Sequence, residues 1–442
     1  MVNHSDHSRK AFRFNTLGLP KFLIAGLYFQ LLSCASYVDH TSSMRESVVG
    51  GAYTEALENL EGSPIATQQR NRLLYLLEKA VILDRLGQKK RSRKALLEAD
   101  KLGDELYTVS ISSEAASYVV NDSVTDYAGE DYERVAIHKM LAISFLESGE
   151  LDAARVEARR INRRLKEIVD KHGDDYSAYR ADAFALFLSG LIYEALGEWD
   201  SAIIDYKKSL ETYEKGFFGV AVPDSLLKSF YHAAKARDRT DLIDKLKNDY
   251  PETEFATDEV TKSPIKKDSS SVVFIGLGEP VVRKRSDSFV LSTNSGVYRY
   301  SWPVIPQRYT PQPLFDLKLS ARQIELEFAS DVNEIARKTL ENNRLRMTVK
   351  NVARLIAKAK LADEIGQRGG PLAGLLANVV NAVTETADTR SWTLLPGGFH
   401  IRRIWTAEGI SLNGSPLELK APKVPFGAST KRSKISFHVL KE

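Results

Sequence analysis

Between Gly129 and Asn162 the chain reads GEDYERVAIHKMLAISFLESGELDAARVEARRIN, and its apolar residues fall on two helical faces separated by a glycine. Val135, Met140, Leu141, Ile143 and Phe145 mark the first face, and Leu151, Ala154, Ala158 and Ile161 the second; Gly149 breaks the period between them. Two such helices form a hairpin with more apolar surface than it can cover by itself. It is stable only when similar hairpins stack on either side.

The pattern recurs through the N-terminal half. Gly51-Ala52-Tyr53 precedes Ala56, Leu57 and Leu60, the stretch Leu73–Asp100 carries Ala80, Leu83, Gly87, Leu96 and Ala99, and LSGLIYEALGEWDSAIIDY carries Gly190, Tyr193, Gly197, Trp199, Ala202 and Tyr206. Small residues where two helices touch, with large ones filling the gap to the next hairpin, resemble the tetratricopeptide (TPR) repeat. The turn glycines Gly51, Gly87, Gly149 and Gly197 stand 36, 62 and 48 residues apart, against a TPR period of about 34. This spacing predicts an irregular, TPR-like helical solenoid over residues 45–250. Extra helix or loop is expected at Ser110–Tyr127 and Val169–Tyr179, and a single capping helix from Ala233 to Tyr250, closed by Pro251.

Ahead of the solenoid stand Arg9, Lys10, Arg13 and Lys21, the apolar run FLIAGLYFQLL from Phe22 to Leu32, then Ser33 and Cys34. A run of 11 is too short to span a bilayer and matches the apolar core of a secretory signal. Leu31-Leu32-Ser33-Cys34 resembles the lipobox of bacterial lipoproteins, in which the cysteine after a small residue receives the lipid. Residues 1–33 are therefore expected to be a signal peptide, Cys34 the lipidation site (palmitate among its acyl chains), and residues 34–44 a tether. Ala35 in place of Asp resembles lipoproteins sorted to the outer membrane, which would place the protein on its periplasmic face. Cys34 is the only cysteine in the chain, so no internal disulfide can form. Without the first 33 residues the formal charge falls from +4 to +1, too small an excess to point to nucleic acid.

Residues 251–271 are polar, hold two prolines and show no period, as a linker would. Beyond them, residues 272–442 read as a smaller α+β C-terminal domain. SVVFIGLG, SFVLST, GVYRYSW, FHIRRIWT and KISFHVLK have the β-branched and aromatic character of strands. Asp331 with Glu334 predicts the capped start of a long helix to about Ile365, with Arg337, Lys338, Arg344, Arg346, Lys350, Arg354, Lys358 and Lys360 on its polar faces. Those cations suit a solvated face, or contact with anionic headgroups or an acidic partner. Gly369–Thr384 carries no charge and places Leu372, Leu375, Leu376, Val379, Val380 and Val383 at helical spacing. It suits burial within the domain, or a contact between copies in a homo-oligomer.

Chemistry is sparsely represented. The eight histidines are scattered without HExxH or a His/Cys cluster, so no metal site and no cofactor is expected. Gly276-Leu277-Gly278 lacks the third glycine of a nucleotide-binding turn, and neither GxSxG nor a P-loop occurs. Asp388, Arg390 and Ser391 lie together in ADTRSW, where an ion pair between Asp388 and Arg390 over a packed Trp392 is favoured over a nucleophile. No catalytic residue is assigned, and the chain is read as not an enzyme. The densest polar and aromatic group inside the solenoid is Tyr127, Asp131, Tyr132 and Arg134, with Arg155, Arg159 and Arg160 on the following helix. These seven are expected either to serve caps and turns or to line a groove for a partner peptide.

NDSVTDYAGEDYERV, ARVEARR, DAFALFLSGLIYEALG and ETADTRSWTLLP, in this order between about Cys34 and His400, resemble a family of uncharacterised TPR-containing lipoproteins of Gram-negative bacteria. The resemblance implies no catalytic residues. The expectation is a lipid-anchored periplasmic scaffold or adaptor that binds protein partners of a cell-envelope assembly. The alternatives are a subunit of an outer-membrane export or surface apparatus, and an enzyme acting on envelope polymers.

Overall fold

A computed structural model describes residues 37–112, 125–172, 182–216, 218–258, 261–262, 264–266, 269–293, 296–306, 317–319, 322–369, 387–405, 410–412, 415–416 and 435–441. Its N-terminal half is a stack of helical hairpins: α1 (Tyr37–Val49) with α2 (Tyr53–Glu61), α3 (Arg72–Arg85) with α4 (Lys89–Ser112), and α5 (Asp131–Glu147) with α6 (Leu151–His172). Then come α7 (Ala183–Ala195) with α8 (Trp199–Glu214), and α9 (Asp224–Ala236) with α10 (Thr240–Asp249). Gly51, Gly87, Gly149 and Gly197 turn the first four hairpins with φ of 74°, 73°, 71° and 75°, a conformation that costs a residue with a Cβ about 1 kcal/mol or more. Each is followed by an amide bonded back across the helix end, as in Gln88 N to Leu83 O at 2.8 Å and Glu150 N to Phe145 O at 2.9 Å.

Three expectations are corrected here. The tether assigned to residues 34–44 is helical from Tyr37, because Tyr37, Thr41, Met44 and Val48 form a buried stripe against the next hairpin. The capping helix assigned to Ala233–Tyr250 is instead a fifth hairpin, turned by Asp238 at φ 53° and closed by Arg239 N to Ala234 O at 2.9 Å. Residues 251–271 are not a loose linker: Phe255 stacks on Tyr231 at 5.0 Å, and Phe255, Asp258 and Ile265 are buried. The long spacings between turn glycines are taken up in part by α4 and α6, of 24 and 22 residues.

The C-terminal half is built on a four-stranded sheet in the order β10 (Ile435–Lys441), β1 (Ser271–Leu277), β7 (Gly398–Trp405), β6 (Glu327–Asp331). β1 runs parallel to β10 and antiparallel to β7. Every residue of β1 is buried because both faces are covered. Val273, Ile275 and Leu277 join one continuous apolar cluster with the solenoid, while Val272 and Phe274 pack with Leu317, Ile324, Ile404 and Leu440 on the other side. The halves therefore share a core. A second hairpin, β2 (Arg285–Thr293) with β3 (Gly296–Val304), and α11 (Val332–Gly369) follow β1; Asp331 caps α11 as expected, accepting from Glu334 N at 2.9 Å. Short strands β4 (Leu317–Leu319), β5 (Arg322–Ile324), β8 (Ile410–Leu412) and β9 (Ser415–Pro416) make a small outer sheet.

The closeness of helix packing is measured at Gly190, where an added Cβ would lie 2.4 Å from the ring of fully buried Tyr206. At Gly103, within α4, the nearest atom would be Leu73 Cδ2 at 4.0 Å. Gly190→Ala should therefore destabilise the protein by about 1–3 kcal/mol through overpacking, while Gly103→Ala should stabilise it by roughly 0.5–1 kcal/mol through backbone entropy. Urea unfolding of both variants checks this pair, and the same sign for both would refute the packing argument.

Candidate functional site

The inner helices α3, α5 and α7 carry the buried carboxylates Glu78, Glu133 and Glu194 on the face that packs against the C-terminal half. There they meet the chain's own segment from Asp388 to Trp405. Glu133 accepts from Trp392 N at 2.7 Å and from Tyr127 Oη at 2.6 Å. Glu78 accepts from Thr393 N (2.6 Å), Thr393 Oγ1 (2.8 Å), Leu394 N (2.9 Å) and Tyr37 Oη (2.9 Å). Burial pushes the Glu78 carboxyl up to about 7 against these donors, and burial likewise raises Glu133.

Further along, β7 alternates. Phe399, Ile401 and Arg403 turn toward the solenoid, while Ile404 packs on the opposite side and Arg402 pairs with Glu327 at 3.2 Å. Phe399 stacks on Phe184 of α7 at 5.1 Å. Arg403 grips Glu194 with both terminal nitrogens at 2.8 and 2.6 Å, and donates also to Ser229 Oγ at 2.9 Å and Ser271 Oγ at 3.1 Å. Tyr206 Oη at 2.6 Å and His232 Nδ1 at 3.0 Å complete the Glu194 carboxylate. Burial opposes its ionisation, but Arg403 and His232 together hold it well below the usual carboxylate range. At the segment's start Arg390 pairs with Asp388 at 2.8 Å and donates to Thr125 O at 2.8 Å, over a fully buried Trp392. That is the ion pair expected from ADTRSW.

The seven residues assigned to a partner groove divide between two surfaces. Tyr127, Asp131, Tyr132 and Arg134 are buried. Tyr127 lies under Arg390, Tyr132 donates to Glu133 at 3.4 Å, Asp131 pairs with Lys171 at 3.4 Å, and Arg134 pairs with Asp104 at 2.7 Å. The groove envisaged there for an external peptide is filled by this chain, whose amides at residues 392–394 satisfy the carboxylates beneath. Arg155, Arg159 and Arg160 stand instead on the outer helix α6. Arg155 reaches Glu198 of the next hairpin at 2.7 Å, Arg160 reaches Asp100 of the preceding one at 3.7 Å, and Arg159 is exposed. Cys34 lies outside the described residues, as does Gly369–Thr384 beyond its first residue.

Glu78, Glu194 and Arg403 escaped the sequence reading. Glu194 had a signal: it is the single charged residue of a helix buried along all 13 of its residues. Two small cavities adjoin the solenoid and the C-terminal half. One, beside Val81, Met140, Leu277, Trp392 and Lys441, holds about 10 Å³, and another beside Tyr213, Phe218 and Ile335 about 20 Å³, room for a water molecule. Among the described residues, no group of three or more His, Cys, Asp or Glu is arranged to hold a metal ion, and no helix is long and apolar enough to cross a membrane.

No protein-family model and no curated protein matches the chain. Solved structures of TPR proteins align with about half of it. MamA of MSR-1 is 11% identical with a TM-score of 0.29, covering 49% of this chain and 95% of its own. TPR-like repeats of a kinesin light chain type from Podosopora anserina are 14% identical with a TM-score of 0.31, covering 49% and 93%. The TPR2AB domain of yeast Sti1, in a pHSP90 complex, is 11% identical with a TM-score of 0.20, covering 48% and 90%.

Two measurements probe the clamp. Arg403→Met strands the Glu194 charge in the core and should cost about 3–5 kcal/mol, of which adding Glu194→Gln should recover a substantial part; a double variant no more stable than the single one would show that the charge is not the issue. The folded Glu78 carboxyl holds its proton up to about 7 against an ordinary 4.5, so it contributes stability below about 4.5 that is lost as pH rises through 7. Between about pH 5 and pH 8 the wild type should lose up to ~3 kcal/mol relative to Glu78→Gln. Parallel pH profiles of urea stability for the two proteins would contradict this.

Proposed function

We propose that this protein is a lipid-anchored scaffold on the periplasmic face of the outer membrane, where it holds protein partners of a cell-envelope assembly on the outer side of its solenoid. The observation that carries the reading is that the face of the inner helices is filled by the chain's own C-terminal half. With the inner groove taken by the Asp388–Trp405 segment, the outer helices are the surface left to meet another protein. They expose Leu97 (42%), Val156 (46%) and Ile204 (53%), one on each of α4, α6 and α8. Arg160 and Arg164 of α6 both reach Asp100 of α4, at 3.7 and 2.8 Å. Val156 lies one helical turn before Arg160, and Leu97 one turn before Asp100. Exposed Arg159 and half-buried Arg155 flank them. Apolar residues rimmed by arginines are what a protein interface requires.

Anchoring follows from the LLSC sequence. Cys34 precedes buried Tyr37 by three residues, a reach of at most ~10 Å. Acylation there would hold the helical stack against the bilayer rather than on a long leash. In cells, Cys34→Ser should move the protein from the outer-membrane fraction to the soluble periplasm, and a photo-crosslinker at Val156 should give a discrete adduct that Arg159→Glu removes while the thermal transition stays put. A Cys34→Ser protein that still sediments quantitatively with the outer membrane would overturn the anchor. Adducts at Tyr132 but none at Val156 would overturn the assignment of the outer face.

A further inference from the structure

Between the helical hairpins α3–α4 and α5–α6 lies a cluster of ionised side chains that takes no part in the clamp. At its centre is His138 of α5, fully buried. Two carboxylates from different hairpins bracket its ring: Nε2 stands 3.2 Å from Asp100 of α4, and Nδ1 stands 2.8 Å from buried Glu157 of α6. Arg164 of α6, also buried, reaches Asp100 at 2.8 Å, Asp104 of α4 at 2.6 Å and Glu167 at 2.9 Å. Arg160 reaches Glu157 at 3.3 Å and Asp100 at 3.7 Å, and Arg134 of α5 reaches Asp104 at 2.7 Å. Exposed Arg163 reaches Glu167 at 3.4 Å.

Hydrogen-bond chemistry decides the state of the ring. A neutral imidazole has one donor nitrogen and one lone pair, so between two carboxylates it would turn that lone pair onto an oxygen; only the imidazolium donates to both. Burial opposes the charge, but the bonds to Asp100 and Glu157 outweigh it and raise the ring above its ordinary 6.5. Against its own burial, Asp100 is held well below the usual carboxylate range by His138 and Arg164. When the proton leaves, Nδ1 can still donate to Glu157 across the shorter contact, but Nε2 then opposes a lone pair to Asp100. The donor at hand for that lone pair is Arg164 Nε, 3.4 Å away, and it belongs to α6. The neutral ring is thereby bound to α6 on both sides and detached from α4.

We propose that His138 is a proton-operated tie between these two hairpins: charged, it fastens α4 to α5 and α6 through Asp100; neutral, it turns to Glu157 and Arg164 and lets go of α4. The tie lies beneath the outer helices, where Val156 and Arg159 adjoin Glu157 and Arg160 in sequence, but it does not depend on a partner docking there. Because the folded ring binds its proton more tightly than an ordinary histidine, its contribution is complete below about pH 6.5 and is lost as pH rises through the folded value. Purified protein carrying Cys34→Ser/Glu78→Gln, so that neither acylation nor titration of the clamp intervenes, is compared by amide hydrogen exchange at about pH 6 and pH 9. After correction for intrinsic rates, protection of α4 around Asp100 should fall roughly tenfold between the two, while that of α9 and α10 stays level. Adding His138→Gln should give the lower protection at both pH values. In the parent protein, the nitrogen-15 resonances of the His138 ring should show both nitrogens protonated at neutral pH, with a midpoint that coincides with the loss of protection. Protection of α4 indifferent to pH, a pH response that survives His138→Gln, or a ring already neutral at about pH 6 would each overturn the tie. Should His138→Gln fail to fold, the ring titration and the exchange of the parent decide between them.

Discussion

Everything in this structure depends on a bargain between carboxylates and a returning strand. Glu194 is fully buried in an inner helix, where an unpaired charge would cost several kcal/mol. It persists because Arg403, brought from 209 residues away, meets it with two nitrogens while Tyr206 and His232 fill its remaining acceptor sites. Glu78 and Glu133 repeat the arrangement with backbone amides as donors. A helix–strand contact made of hydrocarbon alone could slide by a residue. One that must seat three carboxylates on three particular donor sets has a single register.

The same contact resolves what the hairpins leave unfinished. A regular solenoid keeps a concave surface that is polar enough to face water, and α7 does not: Ala183 through Ala195 are buried on every side. Its outer neighbours bury one flank, and β7 buries the other through Phe399, Ile401 and Arg403. β1 is then sandwiched in turn, which is why all seven of its residues are buried. Solenoid and sheet are consequently one cooperative unit. The pH-sensitive member of the clamp, Glu78, sits where α1, α3 and the returning segment meet through Tyr37 and Thr393.

What could be read from the amino-acid order was local. Gly51, Gly87, Gly149 and Gly197 announced their turns because the left-handed conformation is a property of one residue. Asp331 announced its cap and Asp388 its arginine because the partners stand within three residues. The placement of β7 was hidden because Thr393 and Glu78 are 315 residues apart and nothing in either neighbourhood names the other. Arg402 and Arg403 are adjacent and look alike, and only strand parity sends one to Glu327 and the other into the core. The same limit explains the site: Tyr127, Asp131, Tyr132 and Arg134 are buried, and whether such residues line an open groove or a closed one depends on a distant segment.

A solenoid that uses its inner groove to hold its own chain has its most selective surface turned inward, fixing fold rather than partner. Opening the groove to an outside peptide would require withdrawing β7, the strand between β1 and β6, and leaving Glu194 without Arg403 in the core. No peptide interface of ordinary size offsets the loss of a sheet strand together with a desolvated ion pair. The outer helices around Val156 take no part in that contact and stay outside it. Their surface is mixed in charge and near-neutral through pairs such as Arg155–Glu198, so the polar atoms it exposes are already balanced without the concentrated charge that the inner contact needs.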